Sequence, residues 1–195
     1  MTLIEDGSGG GNVAKVSTQN RLYTEAISID QEVQANRDGN AYNINTGIIN
    51  LTNATDTPVL YFKNNENKDA IITAVVIGLF NSTGGSSTAD VYTTFIMNPS
   101  TGTIISGASN VDIISNRNAG SGNTLDANAY KGATGNTMTD GRDHVIVRIT
   151  PGSRSFIGIN EIIPKGKSFG VKIKPPTSNT SMNIYAAIIC HLDEI

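Results

Sequence analysis

Residues 70–80 form an eleven-residue run that is apolar on both of the faces a β-strand would present. With a period of two, one face carries Ile71, Thr73, Val75, Ile77 and Leu79, and the other carries Ile72, Ala74, Val76, Gly78 and Phe80. Its β-branched residues favour an extended backbone, and eleven residues are too few to cross a bilayer as a helix. The run predicts a central strand of a sandwich, or a strand with one face on the core and the other on a neighbouring subunit or an N-terminal arm.

The composition favours an all-β domain. Charged residues make up 16% of the 195 residues, against about 25% in typical globular proteins. Short apolar runs alternate with segments rich in Gly, Asn, Ser and Thr, a pattern typical of strands joined by turns. We predict a jelly-roll-like antiparallel β-sandwich with an extended N-terminal arm and one short helix. An immunoglobulin fold is disfavoured because the chain has no Trp and one Cys.

The chain divides into two predicted parts, an arm with a short helix at residues 1–40 and a sandwich domain at residues 41–195. Residues 7–11 read Gly-Ser-Gly-Gly-Gly, which is typical of a flexible linker. Residues 28–37 predict the helix, since Ser28 and Gln31 have the spacing of a capping box and Gly39 supplies a stop.

From residue 41 onward the pattern predicts strands. We expect residues 58–63 to form an antiparallel hairpin with residues 70–80 through a polar turn. Residues 115–140 predict a long loop with a functional or contact role. The other predicted strands are residues 43–51 with an interruption at Gly47, then 91–97, 103–105, 111–114, 144–150, 156–159, 162–163, 169–173 and 182–192.

No arrangement of reactive side chains predicts catalysis, so we expect no catalytic, cofactor-binding or metal site. Cys190 and His191 are neighbours on a predicted strand, where adjacent side chains diverge, so Cys190 is expected to be buried rather than nucleophilic. Residues 165–168, Lys-Gly-Lys-Ser, lack the upstream glycine of a phosphate-binding loop. The remaining candidate metal ligands lack the spacing of a zinc or calcium site; they are His144, His191, Asp126, Asp140 and Asp143.

Charge and hydropathy exclude several classes of partner. The net charge of −3 and the absence of a basic stripe disfavour nucleic acid. No segment is apolar over enough residues to cross a membrane as a helix, and the first residues do not form an export signal. A single cysteine is consistent with folding in a reducing cytosol.

Two stretches in the first third of the chain resemble a family of tailed-bacteriophage virion proteins. The first is residues 4–16 with residues 20–22, and the second is residues 38–47 continuing to residues 59–65. The resemblance implies a capsid decoration (cement) protein on the capsid exterior of the virion, synthesised in the host cytoplasm. It also implies a homotrimer bound to the major capsid protein. The family motif has no reactive group, so no catalytic residue is implied.

Two functional hypotheses follow. The first is a structural virion protein whose partner or oligomer contacts are apolar residues of the arm and of the central strand, namely Leu3, Ile4, Val13, Val16, Ile72, Val76 and Phe80. The alternative is a receptor- or glycan-binding module of a phage tail or head fibre, since jelly rolls also serve as lectin domains. Aromatic residues at 6% and the absence of Trp count against stacking on sugars. We expect the protein not to be an enzyme.

Overall fold

The computed structural model describes residues 29–52, 55–81, 90–107, 109–175 and 181–193. Residues 31–195 form one compact unit, and residues 1–30 are a separate one. The described residues of the larger unit contain one helix, α1 (Gln31–Arg37), and eleven strands. The strands are β1 (Ala41–Asn45), β2 (Ile49–Leu51), β3 (Thr57–Asn64), β4 (Ala70–Asn81), β5 (Val91–Met97), β6 (Ile113–Asn116), β7 (Ala127–Lys131), β8 (Arg142–Ile149), β9 (Arg154–Ile163), β10 (Ser168–Lys174) and β11 (Met182–Leu192).

Eight of these strands pair as one long hairpin that is folded over itself. β5 pairs with β8, β4 with β9, β3 with β10 and β1 with β11, all antiparallel. Two further pairings, β11 with β4 and β10 with β5, close the strands into two sheets. Such nested pairing across two packed sheets is the arrangement of a jelly roll, so the all-β sandwich prediction is confirmed.

Sheet one has the order β6-β1-β11-β4-β9, with β2 also paired to β11, and sheet two has the order β7-β3-β10-β5-β8. One hydrophobic core lies between them. It takes Ile72, Val75, Ile77 and Leu79 from β4, and Phe95 and Phe169 from sheet two with their rings 5.8 Å apart. As predicted, Met182 and every second residue after it on β11 face this core.

The segment between β5 and β8 covers part of the outer face of sheet two. It places Ile104 and Met138 against Tyr61 and Ile96, which forms a second buried cluster on that face. Gly170 makes room for the Met138 side chain, since a Cβ at this position would overlap the methionine sulfur. The chain therefore buries part of the outer face of sheet two with its own residues, while Tyr92 and Ile146 on the same face remain exposed.

Helix α1 ends as the sequence predicts but begins three residues later than residue 28. Its last carbonyls accept hydrogen bonds from Gly39 N and Asn40 N, and Gly39 adopts a φ of 74°. A residue with no Cβ is favoured in this left-handed conformation. Glu32 forms an ion pair with Arg117, which follows β6. The predicted boundary at residue 40 stays a prediction, while α1 belongs to the same compact unit as the strands.

The predicted hairpin between residues 58–63 and residues 70–80 is wrong. β3 pairs with β10 and β7, and β4 pairs with β11 and β9, so the two strands lie in different sheets. The polar segment between them crosses from one sheet to the other. A short polar connection has the same composition in both cases, so the local sequence does not distinguish a hairpin from a sheet crossing.

Four other predictions change in detail. Residues 103–105 form a turn that inserts Ile104, rather than a strand, and the strand predicted at residues 111–114 is β6, shifted to Ile113–Asn116. The predicted long loop contains β7, so part of residues 115–140 belongs to sheet two. Gly47, with a φ of 67°, divides the strand predicted at residues 43–51 into β1 and β2.

Candidate interaction surface

A β-bulge at Thr73 decides which side chains of β4 face outward. Ile72 pairs with Cys190 of β11, whereas Ala74 pairs with Ile189, so Thr73 is an extra residue on β4. An extra residue moves every later side chain to the face opposite the one that it would occupy on a regular strand. Thr73 Oγ1 bonds to the carbonyl of Ile189 at 3.2 Å and fixes the bulge.

Ile72 is therefore a core residue and not a partner contact. Its side chain is fully buried and belongs to the same cluster as Val75 and Ile77. The prediction that Ile72 shares a face with Val76 and Phe80 is wrong because strict alternation ignores the bulge. Val76 and Phe80 do lie on the outer face of sheet one, opposite the core, and their role in partner contact stays a prediction.

The outer face of sheet one has an aromatic pair at one end of β4. The ring of Tyr185 on β11 lies over Gly78 and stacks on Phe80, with the ring centres 6.0 Å apart. Phe80 is 42% exposed, while Val76 retains only 7% of its surface. Apolar side chains thus lie next to one another across β4 and β11, and Phe80 remains open to solvent.

β9 extends this apolar surface to the end of sheet one. Phe156 lies beside Val76 and Ile162 lies beside Ile71 in the register of β9 and β4. Phe156 is 65% exposed and Ile162 is 56% exposed. We call Val76, Phe80, Phe156 and Ile162 the sheet-one patch.

The two sheets differ in how their outer faces are covered. The segment between β5 and β8 buries apolar residues of sheet two, whereas three members of the sheet-one patch remain exposed. Exposed apolar side chains that cluster on one face are typical of an interaction site. The sheet-one patch is therefore the candidate functional surface.

Four predicted contact residues, Leu3, Ile4, Val13 and Val16, lie outside the described residues. The structure therefore does not test their part of the prediction. The predicted glycine linker at residues 7–11 and the first residue of the predicted helix, Ser28, also lie outside the described part of the chain.

Cys190 is not available as a nucleophile. Its side chain is fully buried in the core, and burial raises the pKa of the thiol to about 12. A thiolate is required for nucleophilic attack, so this thiol is inert at neutral pH. His191 lies on the opposite face of β11 and is also buried.

His144 and Glu161 meet at the side of the sandwich where β8 and β9 are the end strands. His144 is an extra residue on β8 and forms a β-bulge there. A second bulge lies on β9, where two residues face a single residue of β4, and Glu161 directly follows it. These two bulges bring His144 Nε2 to 2.6 Å from Glu161 Oε1. The contact links the two sheets, and no group of three His, Cys, Asp or Glu side chains among the described residues forms a metal site.

A polar cavity of about 560 Å³ lies beside the start of β1, lined by residues that include Asn40, Glu66, Asn67 and Asn123. Four of its polar side chains bond to the protein itself. Asn123 Nδ2 donates to Asn40 Oδ1 at 3.4 Å, Glu66 accepts from the backbone of Asp126 at 2.7 Å, and Asn67 accepts from Lys165. Side chains already bonded in this way are poorly placed to bind a sugar hydroxyl.

None of the protein-family models, curated proteins or solved structures compared with the chain matches it. Among the described residues, no helix is both long enough and apolar enough to cross a membrane.

Sequence reasoning missed Phe156 and Ile162 as surface residues. Both occur in short apolar runs that resemble core strands, and neither run alone shows that β9 ends a sheet. Residue type gives no signal either, because the half-buried Ile157 is as apolar as the exposed Ile162.

Proposed function

We propose that this protein is a structural virion protein that decorates and stabilises a bacteriophage capsid. The observation that carries the proposal is the sheet-one patch, three of whose four side chains are exposed on the outer face of sheet one, whereas the chain itself covers part of the outer face of sheet two. The resemblance of residues 4–16 and 38–47 to phage virion proteins supports the same function. The proposed partners are the major capsid protein and further copies of this chain, most simply in a homotrimer.

The proposed mechanism is mechanical. Apolar area buried between the patch and a capsid subunit stabilises the contact by about 25 cal/mol per Å². Because the bound state is more stable, the shell resists disruption more strongly when it is decorated. Attachment of one oligomer at several points strengthens contacts that are individually weak.

The first test is the copy number in purified particles, measured by peptide mass spectrometry against the major capsid protein. Decoration predicts hundreds of copies per particle. A handful of copies would instead place the chain in a tail or head fibre and would contradict the proposal.

A second test uses the patch itself. Phe80→Asp should lower capsid occupancy at least tenfold, because it places a charge in an apolar contact. Tyr92→Asp is the matched control, since Tyr92 is 52% exposed on the outer face of sheet two. Equal occupancy for both variants, with both folded by circular dichroism, would show that the patch does not contact the capsid.

The N-terminal arm needs a separate test. Deletion of residues 1–20 should leave a folded sandwich that no longer binds capsids. Full occupancy after the deletion would remove the arm from the proposal and leave the patch as the contact.

The receptor- or glycan-binding alternative rests on the fold alone. The polar cavity beside β1 does not favour it, because four of the polar side chains that line the cavity already bond within the protein. Specific binding on a glycan array, abolished by Asn123→Ala, would favour the alternative over decoration.

A further inference from the structure

The outer edge of β9 has the properties of a strand that accepts another strand. β9 ends sheet one and pairs with β4, and no second strand pairs with it among the described residues. The other sheet ends differ. β6 has only four residues, and residues 109–111 bond to β7 on its outer side. β8 has three charged residues among eight, whereas β9 has two among ten. Short strands, coverage and charge are the usual protections of a sheet edge.

The hydrogen-bond pattern of β4 and β9 shows which backbone groups are free. Leu79 N donates to Ser153 O at 3.1 Å, which makes this opposed pair a hydrogen-bonded one. Because such pairs alternate along an antiparallel ladder, Ser155 and Ile157 also bond to β4. The N–H and C=O groups of Arg154, Phe156 and Gly158 therefore point to the free edge.

This free edge is uncharged over its central part. Residues 155–160 contain no charged side chain, and Phe156 projects from the outer face beside the edge. The regular part of the strand ends before Asn160, which has a φ of 53° within the bulge. The edge thus offers five regular residues, 154–158, to another strand.

We propose that a second copy of this chain pairs with β9 across a two-fold axis, antiparallel and centred on Phe156. In this register Phe156 faces Phe156 of the other copy, and Arg154 faces Gly158. The two arginines lie at opposite ends of the ladder, so the pairing opposes no like charges. A Cβ at Gly158 would have Thr73 O as its nearest neighbour, at 3.9 Å, so space for the Arg154 side chain is available there.

A five-residue ladder is a small contact. Stable interfaces bury at least about 1,000 Å² in total, and five residues a side fall below that area. The pairing is therefore weak in dilute solution and forms where copies are held at high local concentration. It is a two-fold contact, distinct from the three-fold assembly proposed above, and it does not depend on a capsid.

The first experiment tests the register with a short bifunctional maleimide. Residues opposite one another in a ladder have Cβ atoms about 4.5–5.5 Å apart. A mixture of full-length Arg154→Cys and Gly158→Cys chains should cross-link at least tenfold more than either variant alone. The unmodified chain is the background control, because Cys190 is buried. Equal cross-linking in the mixture and in the single variants would overturn the register.

The second experiment tests the contact without cysteines. Phe156→Lys places two positive charges opposite each other at the axis, whereas Tyr92→Lys places the same charge on sheet two, outside both the ladder and the sheet-one patch. Sedimentation velocity over a concentration series should show at least tenfold weaker two-fold association for Phe156→Lys only. Equal association of Phe156→Lys and the unmodified chain, with both folded, would overturn the proposal.

Discussion

Tyr185 on β11 lies directly over Gly78 on β4, and the glycine is what allows the tyrosine ring to lie flat on sheet one. The two residues are partners in the register of the sheet. A Cβ at Gly78 would overlap ring carbons of Tyr185. The Tyr185 ring also stacks on Phe80, so the aromatic end of the sheet-one patch depends on Gly78, a residue that has no side chain.

Gly78→Ala should therefore destabilise the protein. The new methyl group forces the Tyr185 ring away from the sheet, and such overpacking lowers the free energy of unfolding by about 1–3 kcal/mol. Denaturation by urea, followed by far-ultraviolet circular dichroism, measures the change. Gly158→Ala is the control, since a Cβ there has open space, and alanine is favoured over glycine within a strand. Equal destabilisation by the two variants would contradict the role of Gly78.

Substitutions at Ile72 and at Phe156 should have very different effects on the free energy of unfolding. Ile72→Ala removes a fully buried core side chain and should lower the free energy of unfolding by about 2–5 kcal/mol. Phe156→Ala changes an exposed side chain and should alter it by less than about 0.5 kcal/mol. Chemical denaturation measures both values at a concentration where copies do not associate. A large loss of stability for Phe156→Ala would show that this ring packs on its own sheet.

Cys190 should be unreactive in the folded protein. Burial raises the pKa of its thiol to about 12, and the side chain has no access to solvent. Ellman's reagent at pH 8 should label less than about 5% of the chains in the time that labels a denatured sample completely. Rapid labelling under native conditions would show that β11 opens locally.

Asp90 and Arg148 should make stability depend on pH in the acid range. The hydrogen bond and ion pair with Arg148 lower the pKa of Asp90 below its ordinary value of 3.8. A carboxyl whose pKa is lower in the folded state stabilises the protein above its unfolded pKa and loses this effect as the pH falls through the folded value. Asp90→Asn should therefore lower stability at pH 7.

The difference between Asp90→Asn and the unmodified protein should disappear in strong acid, below the folded pKa of Asp90. Urea denaturation at a series of pH values measures it. Asp143→Asn is the control on β8, because no ion pair joins Asp143 to any residue in the described ranges. A difference that persists unchanged at low pH would mean that Asp90 acts through packing rather than charge.

Several elements follow from local sequence because their signals are local. The alternation of β11 predicted its core face, and Gly39 predicted the end of α1. The hairpin between β3 and β4 failed for the opposite reason. A polar turn joins strands in the same way whether they pair or pass to opposite sheets, and only their other partners decide between these outcomes.

The candidate surface was predictable only in part. Phe80 and Val76 were expected on one face and lie there. Ile72 was misplaced because the extra residue is visible only in the pairing of β4 with β11. Phe156 and Ile162 could not be assigned to a surface, because their exposure depends on β9 being the last strand of sheet one.

The sequence by itself determined that the chain folds as an all-β sandwich, because periodic apolar positions and turn residues act over a few neighbours. The apolar character of residues 70–80 on both faces was already visible at that level. The tertiary structure alone decided which of those side chains face the core, which sheet is covered by the chain itself, and which strand has a free edge. These properties depend on pairings between residues far apart in sequence, and one extra residue at Thr73 is enough to exchange the two faces of a strand.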